Sequence, residues 1–207
     1  MRSLVIVTGT DTGVGKTIVT AALAAKAAAA GRSVIMVKPA QTGGDDDAGV
    51  VARLAGVETV TLASYPDPLA PLAAARVSGL PPLPMREVVK AVEGLNHDLV
   101  LIEGAGGLLV QLGEDGWTIA DLAQELGARV VVVARAGLGT LNHTALTLEA
   151  LERRGLEAGV IIGAWPAEPE LVHRTNREDL PPLIGAVPEN ADALTPEEFR
   201  AGAQHWV

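Results

Sequence analysis

The chain has 207 residues, of which 48% are hydrophobic but only 2% aromatic; it has no cysteine and a formal net charge of −9. That apolar content over that length suits one folded domain with a core of Ala, Val, Leu and Ile, and the missing thiols exclude disulfides, thiolate metal sites and a Cys nucleophile. The acidic balance repels phosphate backbones, so no nucleic-acid partner is expected; with no signal-peptide core and no run of transmembrane length, no membrane association is expected and the expected location is the cytoplasm.

The first apolar run, Leu4–Val7, reads as a strand, and its lack of polar alternation predicts helices over both faces of the sheet. Gly9-Thr10-Asp11-Thr12-Gly13-Val14-Gly15-Lys16-Thr17 follows at once and leads into an Ala-rich helix over Lys16–Ala30 that stops at Gly31. A strand, a Gly-rich turn and a helix in that order form the setting of a phosphate loop. Gly13 and Gly15 let the backbone bend so that successive N–H groups face phosphate oxygens. The helix N-terminus adds its positive dipole end. Lys16 reaches the β- and γ-phosphates, and the Thr17 hydroxyl suits Mg²⁺. The usual pattern leaves four residues between its first Gly and Gly-Lys-Ser/Thr, whereas Gly9 leaves five. The bland alternative is a Gly-rich turn with a capping Thr.

Val34–Val37 is the second strand and runs into Lys38-Pro39. Lys38 is either a surface lysine or part of a functional loop with Gln41-Thr42-Gly43-Gly44 and Asp45-Asp46-Asp47. The three acids suit a helix start, and one of them also suits a hard-cation site. A short helix is expected over Asp46–Leu54. Residues 66–84, with Pro66, Pro68, Pro71, Pro81, Pro82 and Pro84, read as a surface loop holding a short helix near Leu72–Val77. A helix over Met85–Glu93 precedes the strand Leu99–Ile102, which delivers Glu103 and the glycines 104, 106 and 107 to the carboxyl end of the sheet. Ligands bind at that end in open α/β sheets, so Glu103 points toward a Mg²⁺ position unless it is an ordinary loop acid. Further strands over Val130–Val133, Gly159–Ile162 and Leu183–Val187 alternate with helices over Thr118–Leu126 and Leu141–Arg154, and a last helix starts near Thr195-Pro196. The expected fold is α/β, a doubly wound, mostly parallel sheet flanked by helices, with residues 1–207 as a single phosphate-loop domain. His97, His143, His173 and His205 lack metal-ligand spacing, and no strand-to-helix elbow carries a Ser nucleophile.

Four segments in register resemble the dethiobiotin synthetase family: Val7-Thr8-Gly9-Thr10-Asp11-Thr12 with Val14-Gly15-Lys16-Thr17, then Lys38-Pro39, then Glu103-Gly104-Ala105-Gly106-Gly107, then Leu138-Gly139-Thr140-Leu141-Asn142-His143. The resemblance extends over nearly the whole chain, and the five-residue gap is normal in that family. It implies an ATP- and Mg²⁺-dependent cyclo-ligase of biotin biosynthesis that makes dethiobiotin from 7,8-diaminopelargonic acid and CO₂, supplied from bicarbonate, through a carbamate and a carbamic–phosphoric anhydride. By the same resemblance Lys16 and Lys38 are catalytic, and Thr17, Asp47 and Glu103 organise Mg²⁺. Thr12, Gly13, Val14, Gly15, Lys16 and Thr17 bind the triphosphate. Thr12, Lys38, Thr42, Gly106, Gly107 and Leu108 bind the substrate. Family members are homodimers with the site at the interface, so Gly139 and Asn142 reach the partner's substrate.

Where relatives read adenine with an Asn, this chain has Gly163. The expectation is therefore weaker base discrimination, with ATP or another nucleoside triphosphate held by backbone near Gly163 and around Pro188, Glu189 and Asn190. The alternative class is a partition- or positioning-type switch ATPase, but Asp11 stands where those proteins carry a signature Lys. Replacing Lys16 or Lys38 by Ala is expected to cut turnover by orders of magnitude without unfolding the chain.

Overall fold

The computed structural model describes residues 2–207. Strands β1 (Ser3–Gly9), β2 (Val34–Thr42), β3 (Glu58–Tyr65), β4 (Leu99–Gly107), β5 (Arg129–Ala134), β6 (Ala158–Trp165) and β7 (Leu183–Pro188) form one sheet in the order β3-β2-β4-β1-β5-β6-β7. Every strand pairing is parallel, so the expected mostly parallel sheet is parallel throughout. The helices are α1 (Lys16–Ala29), α2 (Asp47–Ala55), α3 (Pro71–Ser78), α4 (Met85–Glu93), α5 (Ile119–Leu126), α6 (Thr140–Glu152), α7 (Leu171–Asp179) and α8 (Pro196–Trp206). From β1 the chain first builds toward one edge through β2 and β3. It then returns with β4 and leaves for the other edge through β5, β6 and β7. This reversal beside β1 is where open α/β sheets hold their ligands.

Alternate residues of a strand face opposite sides, and here each side meets helices. Ile6, Val100, Ile102, Val130 and Val132 pack with Val88, Val92, Ile119, Leu122 and Leu151. On the other face Val7, Met36, Leu101, Val131 and Val133 pack with Val19, Val51, Leu54, Phe199 and Ala203. This double covering is why the central strands read as unbroken apolar runs. Helix α1 packs against both α2 and α8, which also touch each other, and its Ala21, Ala22, Ala24 and Ala25 are buried. Small side chains let it approach the sheet closely, which is how a chain so poor in aromatics fills its interior.

Two elements had no counterpart in the sequence reading. The edge strand β3 pairs only with β2, and its residues, Glu-Thr-Val-Thr-Leu-Ala-Ser-Tyr, are mostly half-buried or exposed. A strand open on one side lacks the continuous apolar signature. Helix α7 buries a single residue, Asn176, whose Nδ2 donates to the carbonyls of Ala136 and Gly137 at 2.9 Å each. That polar anchor ties α7 to the loop after β5 and leaves no apolar stripe to recognise. The Pro-rich segment does hold a helix, α3. It is fastened where the Tyr65 hydroxyl donates to the Pro81 carbonyl at 3.0 Å and Trp117 Nε1 donates to the Leu83 carbonyl at 2.8 Å.

The ends of three strands were also underestimated. β1, β2 and β4 continue past Val7, Val37 and Ile102, to Gly9, Thr42 and Gly107. Lys38 and Glu103 therefore sit inside the sheet, paired in register with Thr61 and Val7, not in loops beyond it. Helix α6 ends at Glu152, so Arg153 and Arg154 follow its last turn.

Candidate active site

The loop after β1 is shaped by two glycines with φ of 69° (Gly13) and 94° (Gly15), values that strain any L side chain. Gly15 is the N-cap of α1 and no side chain caps that helix, so its first N–H groups are free for an anion. Lys16 is buried, and its Nζ donates to the Asp11 carbonyl at 3.0 Å across the loop. The five-residue gap closes compactly: a Cβ on Gly9 would come within 2.7 Å of Val14 Cγ2 and 2.9 Å of the Asp11 carbonyl oxygen.

Beside this loop β2 and β4 deliver Lys38 and Glu103, 3% and 1% exposed. Lys38 Nζ donates to Glu103 Oε1 at 2.9 Å and to the Gly104 carbonyl at 3.2 Å, and it forms an ion pair with Asp47. Thr17 Oγ1 lies 3.1 Å from Asp47 Oδ1 and 3.0 Å from Glu103 Oε1, so its one proton serves two carboxylates. The acidic run divides its labour. The Asp46 side chain accepts from Gly49 N–H at 2.8 Å and caps α2, whereas Asp47 turns into the cleft, its own N–H donating to Gln41 Oε1 at 3.3 Å. The cluster of Lys16, Lys38, Asp47 and Glu103 is formally neutral, two positive charges against two negative.

Burial is the largest influence on both lysines and favours their neutral forms. For Lys16 it prevails over the pull of Glu103, and its pKa lies below the usual lysine value. For Lys38 the Glu103 and Asp47 carboxylates, acting through charge and hydrogen bonds, outweigh burial, and the pKa is raised. Lys38 is thus a firm cation, whereas Lys16 carries its charge at some cost until an anion arrives.

A cleft of about 400 Å³ opens over these groups. Of the expected site residues it brings together Thr12, Gly13, Gly15, Lys16, Thr17, Lys38, Thr42, Asp47, Glu103 and Gly106, and it adds Gln41 and Asp45. Val14 is buried behind the loop. Gly107 and Leu108 line a separate shallow crevice with Thr10, Leu109, Val110, Leu146 and Thr147. Gly139 and Asn142 lie at the exposed start of α6, outside the cleft. Arg135, unmarked in the sequence reading, reaches the loop from the residue after β5. Its position past a strand's carboxyl end was the available signal.

Gly163, Pro188, Glu189 and Asn190, expected near the base, do not line this cleft. The Glu189 N–H donates to the Trp165 carbonyl at 2.8 Å, and Glu189 Oε1 accepts from Ala167 N–H at 2.9 Å, so the turns after β6 and β7 are laced together. Gly163 is buried against the phosphate loop. A Cβ there would overlap the Val14 carbonyl and come within 2.6 Å of Val133 Cγ1, and a Cβ on Gly15 would meet the Gly163 carbonyl at 2.7 Å. A side chain at 163 therefore requires backbone movement of β6 or the loop. Gly163→Asn is expected to lose about 1–3 kcal/mol of stability through overpacking and to weaken all nucleoside triphosphates alike. Thermal unfolding together with kcat/KM for ATP, CTP and GTP checks this; an unshifted midpoint with a selective gain for ATP would contradict it.

A family model described as an AAA domain matches residues 3–197. The ATP-dependent dethiobiotin synthetase BioD of Rhodococcus jostii (strain RHA1) is 55% identical, covering 99% of this chain and 94% of the relative. The BioD of Streptomyces coelicolor is 53% identical over 99% and 91%. Among solved structures, the septum site-determining protein MinD of Pyrococcus horikoshii, complexed with Mg-ADP, superposes with a TM-score of 0.63 at 20% identity, covering 99% of this chain and 92% of that one. A putative plasmid partition protein of Borrelia burgdorferi bound to AMPPNP gives 0.60 at 12% identity, covering 100% and 92%. Likeness at such low identity establishes the sheet and its order and nothing more about chemistry. Identity above half, held over nearly the entire length of both chains, is a different kind of finding: this chain belongs to the ATP-dependent dethiobiotin synthetases.

Proposed function

We propose that the whole chain acts as one domain that closes the ureido ring of dethiobiotin at the cleft between the phosphate loop and the ends of β2 and β4. ATP is the cosubstrate, and the role lies in biotin biosynthesis. One amine of 7,8-diaminopelargonic acid takes up CO₂ as a carbamate. A carbamate oxygen attacks the γ-phosphorus and the nucleoside diphosphate leaves. The second amine attacks the carbonyl of the resulting anhydride, inorganic phosphate departs, and the ring closes. Such a sequence asks the protein for charge neutralisation and alignment more than for covalent catalysis.

The supporting observation is the convergence of Lys16, Lys38, Thr17, Asp47 and Glu103 at the phosphate loop. Lys16, at the base of α1, is placed to hold the terminal phosphates once it releases the Asp11 carbonyl. Lys38, on β2, meets the carbamate and the transferring group from the other side. Thr12, Thr42 and Gly106 line the cleft where the diamine enters.

The cluster also tests the fit of a divalent cation. Its charges already cancel, so an incoming triphosphate needs further positive charge. Glu103 Oε2 is buried without a hydrogen-bond partner. Thr17, Asp47 and Glu103 offer the hard oxygens that Mg²⁺ prefers. When bound, Mg²⁺ neutralises phosphate charge during transfer. Glu103→Gln should raise the Mg²⁺ concentration for half-maximal rate about tenfold or more; an unchanged metal titration would remove Glu103 from the site.

A homodimer completes the reading. Leu109, Leu138, Leu141 and Leu146, which are 52%, 90%, 36% and 57% exposed, lie in the turn after β4, just before α6 and along the first half of α6. Large exposed apolar side chains beside the cleft suit an interface through which Gly139 and Asn142 reach the partner's diamine. No described helix is long and apolar enough to cross a membrane, which accords with a cytoplasmic enzyme.

The deciding experiment incubates the protein with the diamine, bicarbonate, Mg²⁺ and each nucleoside triphosphate and measures dethiobiotin by mass spectrometry. Triphosphate hydrolysis without ring closure would favour the switch-ATPase class.

A further inference from the structure

Arg135 joins the phosphate loop from across a strand boundary. β1 and β5 are paired up to Gly9 and Val133, so the chain leaving β5 passes beside the chain leaving β1. Arg135 Nη2 donates to Asp11 Oδ2 at 3.1 Å and to the Thr12 carbonyl at 2.9 Å. The other oxygen, Asp11 Oδ1, accepts from the Thr12 N–H at 2.7 Å. Both faces of the Asp11–Thr12 segment are therefore fixed, its carbonyl by Lys16 and its carboxylate by Arg135. The pair is half exposed, 50% for Arg135 and 53% for Asp11, a setting in which ion pairs add little to stability. Stability alone does not account for a guanidinium brought over from β5 to a loop acid.

Electrostatics does. Asp11 puts a full negative charge on a loop whose task is to accept an anion. Left unanswered, that charge repels the incoming triphosphate. The segment it anchors carries Thr12, which lines the cleft and whose Oγ1 would lie 3.6 Å from a Cβ on Gly106.

We infer that Arg135 is a positioning residue for the phosphate loop: it neutralises Asp11 and pins Thr12, so that the Asp11–Thr12 segment receives a triphosphate without repelling it. The inference rests on the nucleotide-binding reading above. It assigns Arg135 no direct contact with substrate. Arg135→Ala should then raise KM for the nucleotide about fivefold, an effect of the size exposed charges carry. kcat should change little, and the increase should shrink as salt screens Asp11. Arg135→Lys, which keeps the charge without the planar fork, should recover part of the loss. In an Asp11→Asn background the Arg135→Ala effect should shrink to the smaller part owed to the Thr12 carbonyl, because the charge to be neutralised is gone.

The test is this double-mutant cycle, read by steady-state kinetics and by calorimetry with Mg-ATP at low and high salt. Wild-type Mg-ATP binding first checks the nucleotide reading by itself. Given that binding, an unchanged KM in Arg135→Ala, or an Arg135→Ala defect that persists undiminished with Asn at position 11, would overturn the inference.

Discussion

Lys38→Met is expected to lower turnover by about a thousandfold and to destabilise the nucleotide-free protein. The two effects share one cause. Lys38 is 3% exposed and is the cation that answers Glu103, itself 1% exposed. Methionine keeps the length and removes the charge. Glu103 is then left with the Thr17 hydroxyl alone, and a buried carboxylate stripped of its ion-pair partner costs about 3–5 kcal/mol. In a domain of this size that corresponds to a fall of roughly 10 °C in Tm. A divalent cation would answer Glu103 in place of the lysine, so Mg-ATP should restore a larger share of stability to the variant than it adds to the wild type. Calorimetric melts with and without Mg-ATP, alongside single-turnover rates, check both halves. An undiminished Tm would mean that Glu103 does not depend on Lys38, and a near-normal rate would remove Lys38 from the chemistry. The sequence reading, which treated this position as tolerant of Ala as far as folding is concerned, had no way to see that the lysine lies inside the sheet.

Lys16→Met should separate what Lys38→Met combines. Turnover and triphosphate affinity are expected to fall by about a hundredfold to a thousandfold, while the Tm holds or rises slightly. Among the described residues Lys16 is in no ion pair, and its polar contact is the Asp11 carbonyl. Burial keeps its pKa below the usual value. The sign follows: a cation whose folded pKa is lowered is carried charged at a cost at neutral pH, so removing it relieves that cost. Opposite thermal outcomes for two lysines in one cleft, with similar kinetic losses, are therefore the pattern expected. Titration of each variant with Mg-ATP in a calorimeter checks the affinity, and a Tm drop for Lys16→Met as large as that for Lys38→Met would refute the assignment.

The chain order alone determined a good deal. Six of the seven strands, the Gly-rich turn at Gly9–Thr17 and the delivery of Lys38 and Glu103 toward the carboxyl end of the sheet are local patterns. Apolar runs covered on both sides, glycines where φ must turn positive and a Lys-Thr pair opening a helix are each written within a few adjacent residues. Tertiary structure decided what depends on neighbours distant in the sequence. β3 is a strand because β2 offers it an edge, although its own residues are half polar. Local pattern does not separate Asp46 from Asp47, and only the family resemblance singles out the second; in the fold one caps α2 and the other meets Lys38. Arg135 is an ordinary post-strand arginine until the pairing of β5 with β1 carries it to Asp11. Burial of charge is the physical reason for the divide, since whether a lysine is a surface cation or the partner of a dry carboxylate is fixed only when the sheet closes around it.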